Sequence, residues 1–265
     1  MRIDLHTHTW RCRHATGTAE EYVAAARIAG IDVIGLTDHL PLPSGLDPAV
    51  CYAMPISEFE THLAELHEVA ANSDGVHVCV GIEADWLPSH PGHVEGMLAG
   101  RKFDVVLGSV HMIDGWTFDD PDLIHMWDSR DVVEAWERYF AELCDAAASG
   151  LYDVLAHPDL IKKFGHRPAE EPLALYDDVA AQLARTGVAI EVSSAGLRKP
   201  VSEIYPGHGL LAACARAGVP ATTASDAHTP EEVGVGLDAV REALVRAGYT
   251  RVVYFVGREK REVPL

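Results

Sequence analysis

The chain has 265 residues, of which 48% are hydrophobic and 23% are charged, the proportions of an ordinary globular protein. Its formal net charge of −19, without any run of lysine or arginine, argues against nucleic acid as a partner, because nucleic-acid binding places basic side chains against phosphates. No apolar stretch has membrane-spanning length and no signal-type segment is present, so we expect a cytoplasmic protein with no membrane partner. The five cysteines are widely spaced and odd in number, which favours reduced thiols.

Strand-like and helix-like segments alternate along the whole chain. The predicted strands are 2–5, 33–37, 76–82, 104–110, 153–156, 188–192, 220–225 and 251–256. The predicted helices are 22–30, 57–71, 131–149, 172–186, 210–217 and 237–247. Thr18 with Glu21, and Ser57 with Glu60, have the spacing of capping boxes at the starts of the first two helices.

This alternation predicts βαβ units and a parallel sheet. The strands are continuously apolar, which indicates burial on both faces. An open doubly wound sheet would also satisfy the pattern. Polar residues follow nearly every strand, however, and this favours a closed barrel, because barrel enzymes place their sites around the carboxyl ends of the strands. We therefore predict a single α/β barrel domain spanning residues 1–265.

Residues of metal-binding type lie at successive predicted strand ends. His6 and His8 are two positions apart on an extended segment, so both side chains point to one side, and Asp226 and His228 repeat this arrangement. Single residues of the same kind lie at His14, His39, Glu83, His111 and His157. A lone histidine is usually structural, but seven histidines and two carboxylates in such positions predict a shared hydrolytic site with more than one metal ion.

Two loops follow strands on the same face of the predicted barrel. Leu40–Pro55 is rich in proline and glycine, and Asp114–Asp128 carries three large aromatic residues. Strand-end loops often cover the sites of barrel enzymes, so we expect these two to lie over the substrate, although ordinary surface loops would have the same composition.

The quoted residues resemble the motifs of a known family, the polymerase-and-histidinol-phosphatase (PHP) superfamily. The matching motifs are Asp4–His8, His14, Thr37–His39, Glu83, His111, His157 and Ser225–His228. Four further segments resemble its histidinol-phosphate phosphatase branch, namely Gly108–Trp116, Asp159–Gly165, Gly196–Pro200 and Glu203–Pro206. The chain departs from the usual pattern at Pro158 and at 192–194, neither of which is a ligand.

The resemblance implies a distorted (β/α)7 TIM-like barrel that holds three divalent ions, zinc, iron or manganese. The first ion would be held by His6, His8, Glu83 and Asp226. Glu83 would bridge to a second ion held by His111 and His157, and a third would be held by His14, His39 and His228. The implied reaction is hydrolysis of the small phosphate monoester histidinol phosphate, a step of histidine biosynthesis, by metal-activated hydroxide.

Several side chains are candidates for contact with such a substrate. Arg198 suits bidentate contact with phosphate, and Lys162 and Lys163 are alternatives or supplements. Candidates for the general acid that protonates the leaving alkoxide are Asp38, His39 and His228. Candidates for binding the ammonium and imidazole groups of histidinol phosphate are Asp85, Asp114 and Trp116. Asp85 is also a candidate for orienting a ligand histidine.

Three other functions remain open at this stage. A PHP phosphodiesterase or nuclease would use the same chemistry, but the absence of a basic groove counts against it. An amidohydrolase also begins with His-x-His in a barrel, but it would use two metals at most, and ligation by His14 and His39 argues against it. A silent metal-binding or effector-sensing protein would bind metal without turnover. The oligomeric state is not determined by these patterns.

Overall fold

Seven parallel strands form a nearly closed barrel in the computed structural model, which describes residues 1–265. They are, in order around the barrel, β1 (Ile3–Asp4), β2 (Val33–Leu36), β3 (His77–Asp85), β4 (Val105–Ser109), β7 (Val154–Leu155), β8 (Ala189–Ser193) and β9 (Ala221–Ala224). Almost every strand residue is buried, as expected for a sheet enclosed by helices. The predicted α/β barrel is confirmed.

The barrel closes between β1 and β9. The Leu5 amide donates to the Thr223 carbonyl at 3.0 Å, and Thr7 pairs with Ala227 beyond the ends of the two strands. The fully buried Asp4 carboxylate accepts hydrogen bonds from the amide and the hydroxyl of Ser225, at 2.7 and 2.6 Å. The closure therefore brings the His6 segment beside the Asp226 segment.

Seven α-helices surround the barrel. They are α1 (Ala19–Ala29), α2 (Phe59–Ala71), α3 (His93–Leu98), α4 (Val132–Ala148), α5 (Leu173–Thr186), α6 (His208–Ala217) and α7 (Leu237–Ala247). The capping box at Thr18 and Glu21 is confirmed. The one at Ser57 and Glu60 is wrong, because a 3-10 turn over Ile56–Glu58 comes first and α2 begins after Glu58.

Two antiparallel hairpins lie outside the barrel sheet. The first joins β5 (Met112–Ile113) to β6 (Trp116–Thr117), and the second joins β10 (Arg251–Val256) to β11 (Glu259–Pro264). The predicted apolar strand 251–256 is therefore present, but it pairs with a polar strand that the sequence did not indicate. None of the helices has the length and apolar character needed to cross a membrane, and all five cysteines are free.

Candidate active site

Side chains from the carboxyl ends of the barrel strands converge on a cavity of about 250 Å³, which we call the cup. It is lined by His8, His14, His39, Glu83, His111, Asp119, His157, Leu160, Lys163, Lys199, Tyr205, Asp226 and His228. The list contains eight of the nine predicted metal ligands. The ninth, His6, is buried beneath them, with its Nε2 atom 2.8 Å from Nε2 of His8. The fold thus brings all nine residues together.

Glu83 lies at the centre of this group and is buried. Its Oε2 atom is within 3.3 Å of one ring nitrogen each of His6, His8 and His39. Its Oε1 atom is 3.1 Å from Nε2 of His157 and 3.6 Å from Nε2 of His111. One carboxylate therefore faces two sets of imidazoles with its two oxygens, as a carboxylate that bridges two ions must.

A third set of imidazoles lies on the open side of the cup. The His14 ring is 5.2 Å from the His39 ring and 5.0 Å from the His228 ring, centre to centre. The His8 ring stacks between His39 and His228, at 4.5 and 4.4 Å. The Asp226 carboxylate contacts both groups, because its Oδ1 atom is 3.3 Å from Nε2 of His8 and 3.5 Å from Nδ1 of His228.

The donor atoms fit divalent metal ions. Three buried atoms of the candidate ligands have no hydrogen-bond partner, namely His8 Nδ1, His157 Nδ1 and Glu83 Oε2. Unpaired buried polar atoms are costly, and their presence on residues that meet in one cavity indicates a ligand. Groups such as His6–Glu83–His157 and His8–His39–His228 place their donor atoms within 4.8 Å of one another. Imidazole nitrogen with carboxylate oxygen suits zinc, iron or manganese.

The protonation states of two histidines and of Glu83 suit metal binding. Burial lowers the pKa of His39 well below its ordinary value, and burial together with the neighbouring His8 lowers the pKa of His228 to about 3. Both rings are therefore neutral, which is the form that binds metal. Burial alone would raise the pKa of Glu83, but the surrounding histidines hold it well below its usual range, so this carboxylate is ionised.

Two of these residues have an unusual backbone. His157 has a φ of 28° and Asp226 a φ of 51°, in the left-handed region that side-chain-bearing residues seldom adopt. Such strain persists only where the surrounding structure enforces it, and it is concentrated at functional sites. At both positions it falls on a candidate ligand.

Glu191 is a site residue that the sequence did not single out. It is fully buried on β8, where its Oε2 atom accepts a hydrogen bond from His6 Nδ1 at 2.7 Å. Its Oε1 atom accepts from the His157 amide at 3.2 Å. A carboxylate within an otherwise apolar strand was the available signal. Asp85 has a similar arrangement, since it accepts from His111 Nδ1 at 2.8 Å, as expected for a carboxylate that orients a ligand.

A second cavity, of about 350 Å³, opens directly beside the cup and is called the side cavity below. Both predicted covering loops line it, and the Tyr52 hydroxyl of one donates to the Asp120 carboxylate of the other. The cup and the side cavity share His14, His39, His111, Asp119 and Lys163. The side cavity adds further carboxylates and several apolar residues, namely Asp85, Asp120, Asp122, Leu42, Leu46 and Leu87. A ligand spanning both would place one end among imidazoles and the other among acids.

Comparison with known proteins decides the family. The family model described as "PHP domain" matches residues 4–195, and the model described as "PHP-associated" matches residues 211–244. The chain belongs to the PHP family. A protein of Deinococcus radiodurans named "Probable histidinol-phosphatase" is 40% identical to this PHP protein over 251 residues, covering 93% of this chain and 94% of the other.

More distant relatives agree in fold. A Schizosaccharomyces pombe protein, also named "Probable histidinol-phosphatase", is 24% identical over 272 residues, covering 94% of this chain and 88% of that one. The solved structure of a histidinol phosphate phosphatase from Lactococcus lactis, complexed with zinc, L-histidinol and phosphate, superposes with a TM-score of 0.80. It is 18% identical, and the match covers 98% of each chain. The barrel of this PHP protein therefore has the same fold as that Lactococcus enzyme.

The predicted phosphate contacts of the PHP protein fall in different places. Lys163 lines the cup, where its ammonium donates to the carbonyl and carboxylate of Asp119, at 2.7 and 3.0 Å. Lys162 points away from the cup and is buried against Asp159 at 2.9 Å. Arg198 also lies outside the cup lining, because its guanidinium donates to the Ser225 and Asp226 carbonyls. Lys199, which the sequence did not single out, lines the cup in its place.

Of the other predicted catalytic and substrate-binding residues, some line the two cavities and some do not. His39 and His228 line the cup, whereas Asp38 is buried behind it and accepts from the Thr9 amide at 2.7 Å. Asp85 reaches the side cavity, but Asp114 and Trp116 line neither cavity. The β5–β6 hairpin turns Asp114 outward to an ion pair with Arg138, and it buries Trp116 against Trp127 and Phe118.

Proposed function

We propose that this PHP protein is a metal-dependent phosphomonoesterase that hydrolyses L-histidinol phosphate to L-histidinol and phosphate. The observation that carries the proposal is the continuity of the imidazole-lined cup with the acidic side cavity. The names of the Deinococcus and yeast relatives agree with it, as does the zinc, histidinol and phosphate in the Lactococcus structure.

The metal ligands in this proposal are the nine residues that meet in the cup. His6, His8, Glu83 and Asp226 hold one ion, Glu83 with His111 and His157 a second, and His14, His39 and His228 a third. The contacts that support this grouping are those of Glu83, whose two oxygens face separate imidazole sets. Bound divalent ions supply Lewis-acid activation of water and neutralise the charge of the phosphate dianion.

The chain's own residues would then bind the phosphate. Lys163 and Lys199 border the cup and add positive charge where the phosphate must lie. Asp38 is held by Thr9 and by His62, 3.3 Å away, behind the cup. His39 and His228 line the cup, but as neutral ligands of an ion they would carry no proton for the leaving oxygen. Stabilisation of the leaving alkoxide would therefore come from the bound ions rather than from one of these three side chains.

The side cavity gives the reaction its preference for a cationic leaving group. Its carboxylates outnumber its single lysine, and that lysine is already paired with Asp119 at 3.0 Å. Asp120 and Asp122 have no ion-pair partner and are therefore available to an ammonium or a protonated imidazole. Histidinol phosphate carries both groups on the side of the molecule away from the phosphate.

The experiment compares two substrates on one metal-loaded preparation. Phosphate release from histidinol phosphate should exceed that from p-nitrophenyl phosphate by about 100-fold in kcat/KM, because only the former places charges in the acidic cavity. An Asp122→Asn variant, which changes only the side cavity, should lower kcat/KM for histidinol phosphate and leave that for the aryl phosphate within about threefold. Elemental analysis of the same sample establishes its metals. Comparable rates on both substrates would reduce the function to a broad phosphoesterase.

A further inference from the structure

The hydroxyl of Tyr205 lies unpaired in the wall of the cup. Tyr205 is 1% exposed and lines the cup beside His157, whose ring centre is 6.5 Å from its own. No hydrogen-bond partner is present for its hydroxyl. Buried tyrosines normally place this group against an acceptor or a donor.

Three other tyrosines, two buried and one partly buried, follow that rule. The Tyr249 hydroxyl donates to the Val219 carbonyl at 3.0 Å, and the Tyr139 hydroxyl accepts from the Asp159 amide at 3.1 Å. The Tyr22 hydroxyl reaches the Ala227 carbonyl at 3.5 Å. Tyr205 is the exception among them, and it is the one that lines the cup.

The position of Tyr205 is fixed by its backbone and by its neighbours. Its carbonyl accepts from the Ser193 amide at 2.6 Å, and its amide donates to the Ser193 carbonyl at 2.9 Å. Its ring packs beneath the Lys162 ammonium, 5.5 Å from the ring centre, and over Gly196. A Cβ atom at Gly196 would lie 3.0 Å from the ring carbon that bears the hydroxyl. The ring therefore cannot turn freely to find another partner.

The surroundings indicate the missing partner. The cup that Tyr205 lines is also lined by Lys163 and Lys199, in addition to the candidate metal ligands. A buried hydroxyl donor in a cavity that also holds two ammonium groups suits an oxyanion, and phosphate oxygens are the acceptors that the proposed reaction brings into this space.

We propose that Tyr205 is a catalytic residue whose hydroxyl donates a hydrogen bond to a non-bridging oxygen of the phosphate group. This rests on the proposed function, because it assumes that phosphate occupies the cup. The donor is already in place before substrate arrives, so its hydrogen bond strengthens as charge develops on the phosphate oxygens without any rearrangement of the wall.

Tyr205→Phe tests this with the ring retained. We expect kcat/KM for p-nitrophenyl phosphate to fall by about 10- to 100-fold and inhibition by inorganic phosphate to weaken by about fivefold or more. The metal content should be unchanged, and the melting temperature should equal or exceed that of the wild type, because no hydrogen bond is lost. Tyr249→Phe is the matched control: it removes a bonded hydroxyl far from the cup, so it should lower the melting temperature and leave phosphate inhibition unchanged.

The outcomes separate this inference from the proposed function. Wild-type enzyme that ignores histidinol phosphate, together with a Tyr205→Phe variant that binds inorganic phosphate weakly, would remove the substrate assignment and support the role of Tyr205. A folded Tyr205→Phe variant with wild-type phosphate inhibition and kcat/KM would overturn the role. Loss of metal from this variant would also overturn it, because the hydroxyl would then act through the ligand set.

Discussion

The cup and a larger cavity behind it differ in how many of their polar groups are already paired. The larger one, of about 500 Å³, is bordered by Lys162, Arg167, Glu203 and Asp159. These four charges satisfy one another: Lys162 contacts Asp159 at 2.9 Å and Glu203 at 3.2 Å, and Arg167 contacts Glu203 at 3.2 Å. The other two charged residues at its border, Glu171 and Arg246, are exposed. Asp159 Oδ1 is its one buried unpaired side-chain atom, whereas the cup, with half the volume, has four.

This contrast shows that cavity size does not locate the chemistry. A cavity whose ions are already paired has little to offer a ligand. The cup instead combines a buried carboxylate, imidazoles that are mostly buried or half-buried, and an unpaired tyrosine hydroxyl, all on residues that line one space. Unsatisfied polar groups of this kind mark places where the fold has been shaped for a ligand.

Of the changes that distinguish the two cavities, removal of metal should have the largest effect on activity. Exhaustive chelation should abolish phosphate release, and adding zinc, manganese or iron should restore it. Ions that bind only the folded state stabilise it, by about 4 kcal/mol at a thousandfold excess over Kd, so the melting temperature should fall on chelation and recover with metal. Calorimetry and phosphate assays on the same samples measure both. Full activity in the chelated protein would show that the cup is not a metal site.

Glu83→Gln should be almost as severe. The amide cannot bridge two cations as a carboxylate does, so we expect about a 10³-fold loss in kcat, with less bound metal by elemental analysis. Glu203→Gln is the matched change in the larger cavity and should leave kcat within about threefold. Equal effects of the two substitutions would contradict the distinction between the cavities.

Glu191→Gln should have an intermediate effect. It keeps the volume but weakens the hydrogen bond that orients His6, so metal affinity should fall by about 10- to 100-fold, as for other carboxylates that support metal-bound histidines. Competition with a chromophoric chelator measures the affinity, and excess metal should rescue much of the activity. Glu142→Gln serves as a control, because Glu142 is also buried but contacts Trp86 away from the cup. An unchanged affinity in Glu191→Gln would be the contrary result.

The smallest effects should come from removing one cation from each of the two cavities. Lys199→Ala should raise KM about tenfold, because the cup loses a charge that faces phosphate. Arg167→Ala removes only a half-exposed ion pair with Glu203, so activity should stay within about twofold and stability within about 1 kcal/mol. Steady-state kinetics and denaturant unfolding measure both. A larger effect of Arg167→Ala on KM would assign substrate contact to the larger cavity.

The metal ligands were more accessible to sequence reasoning than the substrate contacts. Strand ends of a parallel barrel meet on one face, so residues at those positions converge whatever their separation along the chain. Lys162 and Lys163 show the limit: they lie at the end of a 3-10 turn, where successive side chains point in very different directions. The periodicity of the sequence does not reveal which of the two faces the cup.

Long-range pairing was the other limit. The hydrogen bond between His6 and Glu191 joins residues 185 positions apart, and no local sequence pattern predicts it. The β10–β11 hairpin was half predicted for a related reason, since β10 packs apolar residues into the core while β11 is polar and mostly exposed. Asp114 and Trp116 were expected near the substrate because they follow His111, but the intervening hairpin redirects them.

The closure between Asp4 and Ser225, which lie 221 positions apart, has a consequence for synthesis in the cell. Ribosomes add about 5–20 residues per second, so the first two histidines wait on the order of ten seconds or more for their partners on the last barrel strand. An unfinished polypeptide cannot bring the residues of the cup together, and the enzyme becomes active only once nearly all of its barrel has been translated. Barrel closure therefore acts as a checkpoint that keeps truncated products from hydrolysing cellular phosphate esters.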